Sequence, residues 1–336
     1  FNYLYQLKDL RQCFRVVKMT RCLYADLRES DDYDEDILFH SKWAFRINEV
    51  IREVLTINFN SDFLQEATGL VTDVTTSSEE GIDNMIHSFG LLDTLAEVFE
   101  TISTTKLIRC LEKDEILKNV EWSICNMLYS DKRSTTEMVL GSSLLSIVMN
   151  YSNTILRANP NDISLSYLKT HAWFLSSVMK ASHDIGEMSH GHDMYALLSL
   201  NQSFSLFVSN KNEEVLTEAF WTFSYAIEHK WESIRLAIKQ QLESYTLINL
   251  LENLRKKSFI VKRPLIQVLY RFLRLSNLNI SWDLTTDKLD LLIEQLYCSY
   301  EDIRVELYMI LYFLAENSTA VSDYLQLHPF LSMLFL

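Results

Sequence analysis

Apolar residues recur at helical spacing in a segment that returns along the chain with variations. In residues 120–128, VEWSICNML, the apolar Val120 and Ile124 are four positions apart. Trp122 and Asn126 have the same spacing but are offset from the apolar pair. Residues three or four apart lie on one side of an α-helix. The segment therefore predicts an amphipathic helix with an apolar core face and a second face that carries tryptophan and asparagine.

Five further segments share this pattern: residues 66–74, 172–177, 218–225, 267–274 and 306–312. The aromatic position, or its replacement, is occupied in chain order by Gly69, Trp122, Trp173, Trp221, Tyr270 and Tyr308. The successive intervals are about 53, 51, 48, 49 and 38 residues. A repeat near the 40 to 47 residues of armadillo and HEAT units is typical of a helical solenoid.

The scarcity of turn-forming residues supports the same fold. The chain has 6 glycines and 3 prolines in 336 residues, too few for the many turns of an all-β protein. The sequence thus predicts an all-α, right-handed armadillo/HEAT-like superhelical solenoid of about six to seven repeats. Residues 1–36 are predicted to form an N-terminal helical cap and an acidic loop, and residues 37–336 the armadillo-like repeat domain. The apolar residues of the cap, expected to pack against residues 37–57, are Leu7, Leu10, Phe14 and Val17.

Composition narrows the classes of function. No apolar run approaches the roughly 18 residues of a membrane span, and the 5 scattered cysteines fit neither a disulfide framework nor a zinc module. The formal net charge of −14 argues against direct nucleic-acid binding and makes a basic protein partner easier to accommodate. No phosphate-binding loop, nucleophile elbow or metalloprotease motif occurs, so the sequence predicts neither an enzyme nor a cofactor.

A glycine stands at the start of two leucine-rich segments, residues 89–98 and 139–148. Gly90 and Gly141 are therefore predicted to relieve the backbone at tight corners between two helices.

The order of a short helix, a glycine corner, a Leu- and Val-rich helix and a third helix resembles an armadillo repeat of the importin alpha family over roughly residues 37–336. The family's third helix reads Glu-Ala-x-Trp-x-Leu-Ser-Asn-Ile. The copy at residues 218–225 keeps the Glu, Ala, Trp and Ser, and the copy at residues 120–128 keeps the Trp and Asn.

The resemblance implies a peptide-binding surface. In the family, third helices line a concave groove in which Trp faces hold the stems of Lys and Arg, and Asn amides bond an extended peptide backbone. The family's tryptophan and asparagine match here at Trp122, Asn126, Trp173 and Trp221. Other residues replace the asparagine at Asp73, Ser177, Tyr225 and Arg274. The partner-binding residues so predicted are Trp122, Asn126, Trp173, Ser177, Trp221, Tyr225 and Asp73.

Two functional hypotheses follow. In the first, the chain is a non-enzymatic scaffold or adaptor whose groove grips an extended partner segment, with basic cargo and nuclear transport as the form that the family implies, in the nucleus or cytoplasm. In the second, it is a structural subunit that docks by its convex or terminal faces, and the aromatic residues are ordinary packing between repeats. A buried, charge-paired polar cluster in a pocket would instead favour an enzyme. The family also offers an alternative to the N-terminal cap, because its basic N-terminal segment folds back as an autoinhibitory or carrier-binding arm.

Two polar clusters have plainer explanations. His183, His190 and His192 lie close in sequence, but their spacing matches no zinc pattern, which favours a polar loop between repeats. The basic residues at 255–257 and 262–263 are more typical of a solvated edge than of a phosphate site.

Overall fold

The computed structural model describes residues 10–28, 43–56, 60–76, 79–87, 90–105, 110–157, 163–185, 206–245, 254, 257–275 and 285–328. Within these ranges the chain forms helices joined by turns, with no strand. It divides into two compact units, Phe1–Gln202 and Ser203–Leu336. The predicted boundary between residues 36 and 37 stays a prediction.

The helices of unit 1 are α1 (Leu10–Arg28), α2 (Trp43–Thr56), α3 (Ser61–Thr75), α4 (Glu79–His87), α5 (Leu91–Thr104), α6 (Cys110–Leu128), α7 (Arg133–Leu140), α8 (Ser143–Arg157) and α9 (Leu165–Ile185). Those of unit 2 are α10 (Glu213–Ile227), α11 (Glu232–Tyr245), α12 (Phe259–Leu275), α13 (Thr286–Gln295), α14 (Glu301–Asn317) and α15 (Thr319–Leu327).

Polar residues at the helix starts explain several of these boundaries. The side chain of Asn60 accepts a hydrogen bond from the Phe63 amide at 2.8 Å, which satisfies one of the unpaired amides of the first turn of α3. Asn212 accepts from two amides at the start of α10, and Ser318 caps α15 in the same way. Each of these three helices therefore begins where a short polar side chain can replace the missing backbone acceptor.

Four helices of unit 1 stack side by side in the order α1, α3, α6, α9, here called the first row. The pairing of α3 with α6 keeps one register along the helix. Hydrogen bonds join Ser61 to Glu112, Thr68 to Asn119, Thr72 to Ser123 and Thr75 to Asn126, and each pair is separated by 51 residues. A constant separation requires parallel helices, so the sequence period corresponds to one step between neighbouring helices.

A second layer covers the apolar side of the first row. Helices α2, α5 and α8 contact one another in that order, and α5 also packs on α6. Phe99 of α5 and Ile124 of α6 are among the fully buried side chains. Phe99 and Ile124 thus belong to the apolar core that the sequence pattern predicts.

Unit 2 repeats this arrangement with α10, α12 and α14, here called the second row. Successive members pack along one another, and α13 and α15 pack on α14. The predicted all-α, armadillo-like fold class is confirmed.

The first helix takes a place that the sequence did not predict for it. Helix α1 packs along α3 as the outermost member of the first row, with the Phe14 and Phe63 ring centroids 6.5 Å apart and Val17 buried. The prediction that this helix packs against residues 37–57 is therefore corrected, because α3 is its main partner. Leu7 and the side chain of Leu10 lie outside the described residues.

Only one of the two predicted glycine corners needs glycine for its backbone. Gly90, between α4 and α5, has a φ of 62°, in the left-handed region that favours glycine. Gly141, between α7 and α8, has a φ of −86°, which any residue adopts. The prediction is thus confirmed at Gly90 and corrected at Gly141.

In the described part of the chain, no helix combines the length and apolarity that crossing a membrane requires.

Candidate functional site

Three aromatic side chains form a cluster at the surface, here called the aromatic patch: Trp122 of α6, Tyr129 directly after α6, and the partly buried Trp173 of α9. The Trp122 and Trp173 rings are perpendicular, at 87°, with centroids 5.5 Å apart. Tyr129 stacks on Trp173, with the ring centroids 6.4 Å apart. Trp122 is 40% exposed and Tyr129 is 49% exposed, although both are large side chains that are usually well buried. The structure therefore brings the two predicted tryptophans of this unit together on one surface.

Tyr129 was not among the residues predicted from the sequence, although a signal for it was present. Tyr129 follows Trp122 by seven residues, or two helical turns, which places both on the same face. The Lys180 ammonium lies over the Tyr129 ring, 4.6 Å from its centroid, within the range of a cation–π interaction.

Asn126 adjoins the patch but has its amide nitrogen turned toward α3. Its Nδ2 donates to the Thr72 carbonyl oxygen at 3.3 Å and to the Thr75 hydroxyl at 3.2 Å. Both amide hydrogens thus have acceptors within the first row. Peptide binding by this nitrogen stays a prediction, and it would require those two bonds to break.

Ser177 does not reach the exposed surface. Its side chain is buried, and its hydroxyl donates to the Trp173 carbonyl oxygen at 2.9 Å, one turn back in α9. Serine is small enough to bond its own helix in this way. Contact between Ser177 and a partner stays a prediction, and it would require this buried hydroxyl to become accessible.

Asp73 is already paired with a basic residue of the chain. Arg21 of α1 donates from Nε to Asp73 at 3.0 Å and from a terminal nitrogen to Glu66 at 3.2 Å. A Cβ added to Gly69 would meet the Arg21 guanidinium. This guanidinium therefore fills the space at the repeat position where the other copies carry an aromatic side chain. Burial opposes the charge of Arg21, but Asp73 and Glu66 raise its pKa above the ordinary value.

Trp221 and Tyr225 lie on α10, in unit 2. Their rings stack with centroids 5.9 Å apart, and the Arg271 guanidinium lies 5.8 Å from the Tyr225 centroid. Arg271 and Arg274 both pair with Glu228, and Arg274 also lies over the Tyr270 ring. The second row therefore carries its own cations on its aromatic rings.

A buried polar cluster joins α6 to α9 beneath the patch. Glu121 accepts a hydrogen bond from the Tyr167 hydroxyl at 2.6 Å and lies 3.1 Å from Nδ1 of His171. Burial, reinforced by the nearby Glu121, raises the pKa of Tyr167 well above its ordinary value. Glu121 is 0% exposed and His171 2% exposed on their side chains, which leaves a substrate no access to them. This cluster links two helices of the first row.

The two polar clusters noted in the sequence are described only in part. His183 pairs with Asp184 at 3.1 Å, whereas His190 and His192 lie outside the described residues. Among the residues described, no group of three or more His, Cys, Asp or Glu could hold a metal ion. Arg263 pairs with Asp302 at 3.0 Å, while residues 255–256 lie outside the described ranges.

Comparison with known proteins places the fold but not the family. No family model matches the chain, and no curated protein matches it. Solved structures of designed armadillo repeat proteins do match. One, in complex with peptide (KR)4, has 14% identity and a TM-score of 0.55, covering 80% of this chain and 98% of its own. Another, computationally designed for modular peptide recognition, matches with the same identity and TM-score and 99% of its own length. At this identity the likeness concerns the fold alone.

Proposed function

We propose that the chain is a protein-binding scaffold that grips an extended segment of a partner on the exposed face of the first row. The observation that carries the proposal is the aromatic patch, in which large side chains meet at the surface without being covered. Tryptophan and tyrosine concentrate binding energy at protein interfaces because they bury much apolar area with few rotatable bonds. The designed proteins with the same fold, described as binding peptide (KR)4 or as made for peptide recognition, support this use of the fold.

The finer form of the proposal is an adaptor of the importin alpha type, acting in nuclear transport on a basic segment, in the nucleus or cytoplasm. The Trp122 and Trp173 pair supports it, since aromatic faces hold the stems of basic side chains. This form predicts that an extended basic peptide binds in preference to others and that Asn126 exchanges its bonds to α3 for bonds to the peptide.

The second candidate is a structural subunit of a larger nuclear or cytoplasmic assembly that docks by another surface. Two observations favour it: Asn126 is hydrogen-bonded to α3, and Ser177 is buried. These two predicted polar residues therefore make contacts within the chain. A subunit of this kind is expected to bind its partner without using the aromatic patch.

Panning of a displayed library of random octapeptides tests the proposal. Peptides enriched on the native chain are titrated by calorimetry against the native chain, Trp122→Ala and the control Tyr297→Ala, which removes an exposed aromatic residue of unit 2. A scaffold that uses the patch predicts a loss of about tenfold or more for Trp122→Ala, as for an interface anchor, and little change for the control. Enrichment of no peptide, or equal affinities for all three proteins, would contradict the proposal and favour the structural subunit.

A further inference from the structure

We infer that the segment bound by the aromatic patch is acidic: an extended peptide that places carboxylates against Lys180 while its apolar side chains rest on Trp122 and Tyr129. The inference rests on the coarser part of the proposed function, a scaffold that grips an extended segment at the patch, and it replaces the basic segment of the importin alpha form. It follows from where the chain's own charges lie around the patch.

At one ring of the patch, and at two rings of the second row, the cation position is already filled by the chain. Lys180 occupies the Tyr129 ring in the first row, and Arg271 and Arg274 occupy Tyr225 and Tyr270 in the second. A basic peptide would have to displace these groups to reach the same rings. Since one cation excludes another from a single ring face, the arrangement disfavours a basic segment.

Three carboxylates of α3 and α6 are paired with basic side chains of the chain as well. Glu115, two turns before Trp122 on α6, pairs with Lys118 at 2.6 Å. On the neighbouring α3, Glu66 and Asp73 pair with Arg21. A basic peptide would therefore find few acidic partners that are not already engaged.

Lys180 offers the complementary charge. An ammonium group carries three N–H donors, and contact with one ring face does not occupy all of them. The remaining donors can bond to other acceptors. Within the described residues Lys180 forms no ion pair with a carboxylate, whereas Asp184 at the end of α9 pairs with His183. A carboxylate on a bound peptide could pair with Lys180 without breaking an ion pair between Lys180 and any of the described residues.

The net charge of −14 acts against an acidic partner at long range. This repulsion is screened beyond a Debye length of about 10 Å at 0.1 M salt, whereas contacts at the patch are shorter than that. The charges next to the patch therefore decide the preference at about physiological ionic strength.

The test uses three octapeptides that differ only in charge, two repeats each of EEYY, KKYY and SSYY, titrated by calorimetry in about 0.1 M salt. We expect the EEYY peptide to bind about three to ten times more tightly than KKYY, as a few exposed ion pairs allow. Lys180→Glu should remove or reverse that preference. Lys180→Met, which keeps an apolar stem over Tyr129, should remove the part of the preference that depends on charge and keep the contact with the Tyr129 ring. The control Lys211→Glu, an exposed lysine of unit 2 with the same change of charge, should leave the preference intact.

The outcomes separate the two proposals. If KKYY binds more tightly than EEYY and Trp122→Ala weakens it, the patch binds peptide but the inference is wrong. A preference for EEYY that survives Lys180→Glu also overturns it. If Trp122→Ala weakens none of the three peptides, the patch is not a binding surface, and both the inference and the proposed function fail.

Discussion

The two rows of helices are joined by different kinds of polar contact. In the first row, the contacts between α3, α6 and α9 are buried: Thr72 bonds Asn119 and Ser123, and Glu121 bonds Tyr167 and His171. These groups lie between helices, where water does not compete for their hydrogen bonds. Leaving any one of them unpaired costs the full desolvation of its partner.

In the second row, ion pairs join the helices. Glu228, the residue directly after α10, pairs with Arg271 and Arg274 of α12, and Arg263 of α12 pairs with Asp302 of α14. The side chains of Glu228 and Arg271 are largely buried, at 17% and 19% exposed. Arg263 and Asp302 are 47% and 54% exposed on their side chains, so solvent and salt screen their attraction. Glu306 adds a half-buried carboxyl group at the same seam.

The difference shows that one fold can align its repeats in two ways. Buried hydrogen bonds fix the register of α3 on α6 at several points along the helix, and they are insensitive to ionic strength. Ion pairs hold α12 between its neighbours, and the exposed pair of Arg263 with Asp302 contributes less energy and weakens with salt. We therefore expect substitutions in the first row to cost more stability than equivalent substitutions in the second.

The largest effect is expected from Glu121→Ala. The change removes the acceptor of Tyr167 and His171 and leaves both polar groups buried, so we expect a loss of about 3 kcal/mol in the free energy of unfolding. Urea denaturation followed by helical circular dichroism measures it. Glu115→Ala, an exposed glutamate of the same helix, is the matched control and should change stability by about 0.5 kcal/mol or less. Equal losses for the two variants would show that the buried cluster does not stabilise the row.

Glu306→Gln should give a smaller, pH-dependent effect. Burial raises the pKa of Glu306 from 4.5 to about 7, an effect that Arg271 and Gln267 partly oppose. Because the folded chain holds this proton more tightly than the unfolded chain, stability is lost as the pH rises from about 4.5 through about 7.

The glutamine variant removes that loss. At pH 8 we expect it to be more stable than the native chain by about 1 kcal/mol, since solvent screening of this partly exposed group reduces the ideal value. At pH 4 the two should be equally stable. Urea denaturation at both pH values provides the measurement, and a difference that does not change with pH would contradict the assignment.

The smallest effect is expected from Arg263→Gln, which breaks the exposed pair with Asp302. A loss of about 0.5 kcal/mol at about 0.05 M salt should shrink toward zero at about 0.5 M, because exposed pairs are weak and screened. Denaturation of the native chain and the variant at both salt concentrations tests this. A loss above about 2 kcal/mol, or one that salt leaves unchanged, would contradict this prediction. The pair would then contribute to stability as a buried hydrogen bond does.

Much of the fold could be predicted from the sequence because large aromatic residues recur at a regular interval. Trp122 and Trp173 are 51 positions apart, and the structure joins α3 to α6 by bonds of that same separation. The place of α1 could not be predicted, since nothing in an amphipathic pattern says which neighbour receives its apolar face.

The candidate site was harder to predict, for a geometric reason. Asn126 and Ser177 lie four residues after a tryptophan, about 40° around the helix from it. That offset places them at the border between the exposed face and the neighbouring helix, and packing decides which way they turn. Glu121 gave a weak signal, because His171 lies 50 residues later, about one repeat away. From the sequence alone, a charged residue such as Glu121 is nevertheless expected at the surface, because its buried partners lie on a neighbouring helix.

The most direct test of the central claim follows the indole N–H signals of the chain in nitrogen-15 NMR spectra while the EEYY octapeptide is added. The chain has 6 tryptophans, and single Trp→Phe variants assign their signals. If the aromatic patch is the binding surface, the signals of Trp122 and Trp173 shift in a saturable way while that of Trp231 stays in place. If the peptide binds and only the signals of other tryptophans move, the patch is not where this chain holds its partner.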